Sequence, residues 1–183
     1  MNRIVLLKSL PNLITVGRLI LVPVVVAMIA AQAWTSAFAV FVAAGVSDGI
    51  DGFIAKRFDA RSELGAYLDP IADKALLVSI YVSLAVEGIL PGAVAILVVS
   101  RDLMIVGGVL VSLVLEQPVE IRPLAISKLN TVVQILLAAL VLGAKAFGIG
   151  LDGWLSWMIG LMTALTLASM AAYLAQWFRH MSK

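Results

Sequence analysis

The sequence predicts an all-α integral membrane protein, a bundle of six transmembrane helices with both termini on the cytoplasmic side. Three observations predict it. Of the 183 residues, 62% are hydrophobic and only 13% charged, about half the charged share of an ordinary soluble domain. Mean hydropathy is +1.09, which implies more apolar surface than so short a chain can hide, so lipid is the expected solvent. Six apolar segments follow one another, each near the roughly 20 residues that a spanning helix needs. Shorter alternating segments, the mark of a β-barrel, are absent from the sequence.

Taken in order, the first segment, about 11–31, holds one charge, Arg18, and ends at the separator Gln32–Ser36. The second, 34–57, is apolar until Asp48 and Asp51 near its far end, and Lys56–Leu64 closes it. The third, 66–87, places Asp69, Asp73 and Lys74 in its opening turns and ends at Glu87–Gly92. The fourth, 91–115, carries Arg101 and Asp102 near its middle and is followed by Glu116–Pro123. The fifth, 125–146, has Lys128 near its start and Lys145 at its end, before Gly148–Gly153. The sixth, 152–177, holds no charge beyond Asp152. With no linker, internal repeat or low-complexity tract, residues 1–183 are expected to form one domain.

Lysine and arginine in short loops set the orientation. One side collects Arg3, Lys8, Lys56, Arg57, Arg61, Arg122, Lys128, Arg179 and Lys183, and the other has only Lys145. Both termini therefore face the cytoplasm, as an even number of spans requires. The net charge of +2 and pI near 9.1 follow from this asymmetry and are no nucleic-acid signal. The chain has no cysteine, which excludes disulfides and thiolate metal sites. Met1–Leu10 is short and mildly basic, and the apolar stretch after it is too long for a signal-peptide core and lacks a small-residue cleavage site; no Arg- and Ser-rich transit peptide precedes it, so a bacterial plasma membrane is expected, with no cleaved leader.

The chemistry lies in the run from Ser47 to Lys74, SDGIDGFIAKRFDARSELGAYLDPIADK. Asp48 and Asp51 are three apart and Asp69 and Asp73 four apart, so each pair shares a helix face. The topology sets all four at similar depth near the cytoplasmic side. One aspartate at a bilayer centre costs about 2.5–3.5 kcal/mol, and clustering adds mutual repulsion that the single charge of Lys74 does not offset. Divalent cations do, and an all-carboxylate donor set selects magnesium, manganese or calcium. Gly45 and Gly49 form a small-xxx-small pair, suited either to close helix packing or to the site. Gly52 and Gly65 beside the aspartates suit a nucleotide or phosphate that must approach backbone. Pro70 leaves the carbonyl of Ala66 without its helical donor, which a helix start or a wet cavity tolerates.

The same run resembles the signature of the CDP-alcohol phosphatidyltransferase superfamily, Asp-x-x-Asp-Gly-x-x-Ala-Arg, about eight residues, Gly-x-x-x-Asp-x-x-x-Asp. Asp48, Asp51, Gly52, Ala55, Gly65, Asp69 and Asp73 stand in register with it. Lys56 stands where the family usually has arginine, keeping the charge but losing the bidentate fork. The resemblance covers nearly the whole chain. Leu10 to Thr15 followed by Arg18 is similar to the family's opening helix. Ser100-Arg101-Asp102 and Ile126-Ser127-Lys128-Leu129-Asn130-Thr131 are most similar to the branch of CMP-forming cardiolipin synthases.

The resemblance implies a CDP-linked lipid donor, CDP-diacylglycerol, and two divalent cations, magnesium or manganese, on Asp48, Asp51, Asp69 and Asp73. It implies that Asp73 is the general base and that cytidine lies against Gly52, Ala55 and Gly65 with Lys56 near the pyrophosphate. It further implies a homodimer among membrane lipids, with no nucleic-acid partner. An acceptor that carries phosphate, phosphatidylglycerol or glycerol 3-phosphate, needs a cationic pocket, for which Arg18, Arg101, Arg122 and Lys128 are the candidates. Arg101 stands out because an unpaired arginine in mid-span is costly, and an ion pair with Asp102 or an active-site aspartate is its other role. Lys128 alternatively snorkels to lipid phosphates.

Other conspicuous residues carry little chemistry. His180 sits alone in a basic tail, Trp154, Trp157 and Trp177 lie near span ends as aromatic belts do, and Met158, Met162 and Met170 suit packing. The rival class is an ion transporter, which would spread polar residues through the bilayer or show an inverted repeat. Here the acids collect on one side. Within the enzyme class, a modest basic supply near Lys128 favours phosphatidylglycerol over glycerol 3-phosphate.

Overall fold

In the computed structural model of the chain, backbone is described for residues 2–58, 63–114 and 124–181, and side chains for 15–49, 71–72, 74–108 and 124–179. Six helices account for it: α1 (Asn2–Ala30), α2 (Trp34–Phe58), α3 (Glu63–Val86), α4 (Gly92–Val114), α5 (Ala125–Phe147) and α6 (Trp154–Met181). There is no strand among the described residues. The all-helical class expected from the sequence is what forms, and most helix ends fall within three residues of the expected ones.

Three boundaries correct the sequence reading. α1 begins at Asn2, not near Pro11. Hydropathy marks only the apolar stretch, whereas the leucines, arginine and lysine ahead of Pro11 are good helix formers. α6 runs on to Met181 for the same reason, past the expected end at 177. α3 opens at Glu63, where a carboxylate favours a helix N-terminus. Pro70 is therefore two turns inside the helix and not at its start, with Asp69 just before it in the second turn and Asp73 after it in the third.

The helices pack as a ring in the order α1, α2, α5, α6, α4, α3 and back to α1, and α3 also meets α5 across the middle. Among the described residues α2 and α3 do not touch; α1 and α5 bridge them. Val25 and Ile29 of α1, Ile80 and Leu84 of α3, and Leu137 and Val141 of α5 are fully buried at the centre. Two side chains tie helices together there. The Tyr81 hydroxyl donates to the Gln134 carbonyl at 2.9 Å, joining α3 to α5. Thr166 Oγ1 of α6 lies 2.8 Å from both Asn130 Oδ1 and the Met162 carbonyl.

The described connections share one end of the bundle. Gln32 in the first turn donates to Glu87 at 3.3 Å, and Thr35 donates to the Ala146 carbonyl at 3.4 Å. Gly148 caps α5 in the left-handed region, φ 67°, and its N–H returns to the Ala144 carbonyl; Gly88 ends α3 similarly at φ 70°. Lys145 lies at this end, 5.6 Å over the Trp34 ring.

Close packing nearby depends on Gly143, where an added Cβ would stand 3.3 Å from Phe38 Cε2. Phe38 in turn meets Phe147 edge-on at 5.9 Å. Gly143→Leu is expected to lower stability by about 1–3 kcal/mol through overpacking. For Gly143→Ala, the gain in helix propensity offsets the crowding to within about 1 kcal/mol. Thermal unfolding of the two variants in detergent checks the contrast.

Outward-facing residues are apolar too. Ile20, Val86, Ile96, Leu103, Phe147 and Trp157 are all exposed, a surface that soluble monomers rarely carry. Among the described residues two helices, Ala125–Phe147 and Trp154–Arg179, are long and apolar enough by themselves to cross a membrane.

Candidate active site

Asp48 lies some fourteen residues along α2 from Trp34, about 21 Å from the end that carries the turns. Its side chain is 48% exposed, and its carboxylate meets Arg18 Nη1 of α1 at 2.7 Å. Arg18 itself is buried to 3% exposure, one turn from buried Thr15. An arginine carried so far inside an apolar ring requires a counter-charge, and Asp48 supplies it from the neighbouring helix.

A second charged group faces the first. Asp102 of α4 accepts from Arg101 Nη1 at 2.6 Å and from Lys74 Nζ of α3 at 3.0 Å. Consecutive helical residues diverge by about 100°, so Arg101 meets Asp102 only because its long side chain folds back into the bundle. Its other nitrogen, Nη2, donates to the Ser127 hydroxyl of α5 and lies 3.5 Å from the Ser169 hydroxyl of α6. Arg101 is thus 3% exposed yet bonded from three directions. The ion pair with Asp102 expected from the sequence is present.

These groups border a cavity of about 170 Å³ between α1, α2, α3, α4 and α5. Arg18, Asp48, Lys74, Arg101 and Asp102 give it charge, Thr131 and Gln134 line it from α5, and Phe41, Ala44, Leu76, Leu77 and Ile135 make the rest apolar. A second cavity of about 400 Å³ shares Lys74, Arg101 and Thr131, and adds Ile105, Ser127, Lys128 and Tyr173. Lys74 and Arg101 form the wall between the two. Phosphate-bearing ligands suit such a wall, because guanidinium and ammonium groups provide directed donors.

Of the sequence-predicted site residues, Arg18, Asp48 and Arg101 line the first cavity, and Lys128, exposed, lines the second. The side chains of Asp51, Gly52, Ala55, Lys56, Gly65, Asp69 and Asp73 lie outside the described residues, although their backbones belong to α2 and α3. Arg122 lies outside them altogether. No group of three or more metal-ligating acids occurs among the described residues. Asp48 nonetheless has the chemistry of a hard-cation ligand, a half-exposed carboxylate opening on a cavity.

Sequence reasoning missed Ser169, Gln134 and the sharing of Asp102 by two cations. A signal existed for the first two. Ser127, Asn130 and Gln134 recur at three- and four-residue spacing on α5, as do Thr166 and Ser169 on α6, a polar stripe on otherwise apolar helices.

Comparison with known proteins places these residues in a wider setting. A family model described as CDP-alcohol phosphatidyltransferase matches residues 8–176. A protein of Oryza sativa subsp. japonica named CDP-diacylglycerol–glycerol-3-phosphate 3-phosphatidyltransferase 1, chloroplastic, is 34% identical over 184 residues, 90% of this chain and 56% of its own length. Human cardiolipin synthase (CMP-forming) is 33% identical over 179 residues, 89% of this chain and 59% of its own. A probable phosphatidylglycerophosphate synthase of Mycobacterium tuberculosis (strain CDC 1551 / Oshkosh) is 35% identical over 103 residues, 53% of this chain and 49% of its own. The chain thus spans a little over half the length of the rice and human relatives.

Proposed function

The chain belongs to the CDP-alcohol phosphatidyltransferase family, and we propose that it transfers a phosphatidyl group from CDP-diacylglycerol to the hydroxyl of phosphatidylglycerol, giving cardiolipin and CMP. The observation that carries this reading is the first cavity, which Asp48, Lys74 and Arg101 line together among mostly apolar walls. A carboxylate for cation binding, two cations for phosphate and an apolar lining for a lipid meet in one place. Glycerol 3-phosphate as acceptor is the second reading, favoured by the name of the rice relative.

In this proposal all six helices span the plasma membrane of a bacterium, with both termini and the active site toward the cytoplasm. The apolar outer surface supports it, as does the position of Lys145 at the end opposite the charged cavity. The dimer rests on family resemblance alone.

Asp48, Asp51, Asp69 and Asp73 would hold two divalent cations, magnesium or manganese, which supply charge neutralisation for a pyrophosphate and for the departing CMP. Asp73 accepts the acceptor's hydroxyl proton as that oxygen attacks the phosphorus bound to diacylglycerol. The bond from that phosphorus to the CMP oxygen breaks, and CMP leaves. Gly52, Ala55 and Gly65 leave room for cytidine, and Lys56 lies by the pyrophosphate. Arg101 and Lys128, with Arg18 and Arg122, hold the acceptor's phosphate.

The test is CMP release by the purified protein in detergent with CDP-diacylglycerol and magnesium or manganese, offering the two acceptors separately. Release with phosphatidylglycerol alone is the expected result, abolished by EDTA and restored by either metal. Release with glycerol 3-phosphate alone overturns the acceptor and keeps the reaction class. Folded protein that releases no CMP with either acceptor means another acceptor or a different donor, and refutes the reaction as proposed.

A further inference from the structure

Gln134 is 1% exposed, it lines the first cavity, and its side-chain Nε2 has no hydrogen-bond partner among the described residues. A buried amide that donates to nothing is unfavourable, and a native chain keeps one where a ligand or water completes it. The Gln134 backbone carbonyl is already engaged by the Tyr81 hydroxyl at 2.9 Å, so this stretch of α5 is held against α3, and the buried amide sits beside the cavity without a protein partner among the described residues.

Asn130, one turn earlier, also shows an unpartnered Nδ2, but it has a local remedy. The single proton of Thr166 Oγ1 cannot serve both Asn130 Oδ1 and the Met162 carbonyl. With the Asn130 amide turned end for end, its NH2 donates to Thr166 and the hydroxyl donates to Met162. Among the described residues no hydroxyl bonds to the Gln134 amide, so no similar exchange is open to it.

Position narrows the ligand. Ser127, seven residues before Gln134 on α5, meets Arg101, so Gln134 lies about 10 Å beyond the cationic wall along the helix axis. Its neighbours in the lining are apolar: Phe41, Leu76, Leu77 and Ile135. A ligand that satisfies both levels has an anionic group at Lys74 and Arg101. Further in, it has a neutral acceptor of hydrogen bonds, flanked by hydrocarbon. A phosphoglyceride has this layout, with its acyl ester carbonyls set inward of the phosphate.

We propose that Gln134 Nε2 donates a hydrogen bond to an acyl ester carbonyl of a phosphoglyceride seated in the first cavity. This rests on the lipid reading of the site and names the group by which the lipid is recognised. The carbonyl belongs to the donor or to the acceptor lipid, two sources of one chemistry.

Ether-linked analogues keep the phosphate and chains and delete the carbonyls. Half-saturating concentrations for thermal stabilisation of the detergent-purified protein are measured with CDP-diacylglycerol, phosphatidylglycerol and the dialkyl form of each. The wild type is expected to prefer the diacyl form of one of the two lipids by about tenfold, and that pair identifies the source. Gln134→Met, similar in shape but unable to donate, is expected to bind diacyl and dialkyl forms equally, and to unfold without lipid at no lower temperature. Equal binding by the wild type overturns the proposal without any variant, and so does a preference that survives in Gln134→Met. Because CMP release is scored separately on the wild type, a failed reaction assignment and a failed ester contact give different results.

Discussion

Asp73→Asn is expected to lower the initial rate of CMP release by about a thousandfold or more while the protein still unfolds at an undiminished temperature. The amide keeps size and shape but has little basicity, so the acceptor oxygen must attack without giving up its proton. Positioned general bases contribute about 10²–10⁴ in rate, and in the proposed mechanism loss of a carboxylate from the cation set adds to the deficit. Rates at saturating magnesium separate the two contributions, since a weakened cation site is partly rescued by excess metal and a missing base is not. An Asn variant of full activity would remove Asp73 from the proposed mechanism.

Asp102→Ala is expected to cost about 3–5 kcal/mol of stability, the penalty of stranding one member of a buried ion pair. Asp102 is the shared counter-ion of Arg101 and Lys74, and the two cations fare differently without it. Lys74, 37% exposed, can turn into the cavity and be solvated there. Arg101, at 4% side-chain exposure, is left with the hydroxyls of Ser127 and Ser169, which carry no charge. The double variant Arg101→Met, Asp102→Ala is therefore expected to recover most of the loss, because a buried pair replaced by apolar groups is often neutral. Denaturation of wild type, single and double variants in one detergent closes the cycle. A double variant as unstable as Asp102→Ala would show that the carboxylate acts on something other than Arg101.

The number and order of helices were legible because each is an apolar run of spanning length closed by polar residues. The start of α1 was not, since a hydropathy window is blind to helix that continues into basic flanks. Arg101 was legible as a residue in need of a partner, and Asp102 as a candidate for it, because neither is tolerated alone in an apolar helix. What could not be read was convergence: Ser127 lies 26 residues from Arg101 and Ser169 lies 68. Such distant meetings depend on the ring order of the helices, which no local pattern encodes. Gln134 was hidden for a further reason. Its importance lies in a bond it does not make, and a sequence records only the capacity for one.

The placing of α1 between α2 and α3 has a consequence for how the reaction could be tuned. The helices that carry the two aspartate pairs are not fastened to each other among the described residues. Their spacing is transmitted through α5 and through α1, whose Val25 and Ile29 are fully buried. That helix works as a gauge block: thickening or thinning it at Val25 and Ile29 would change how far apart α2 and α3 stand while their own residues stayed the same. The separation of α2 from α3 would then be adjustable from a helix that contributes no carboxylate at all.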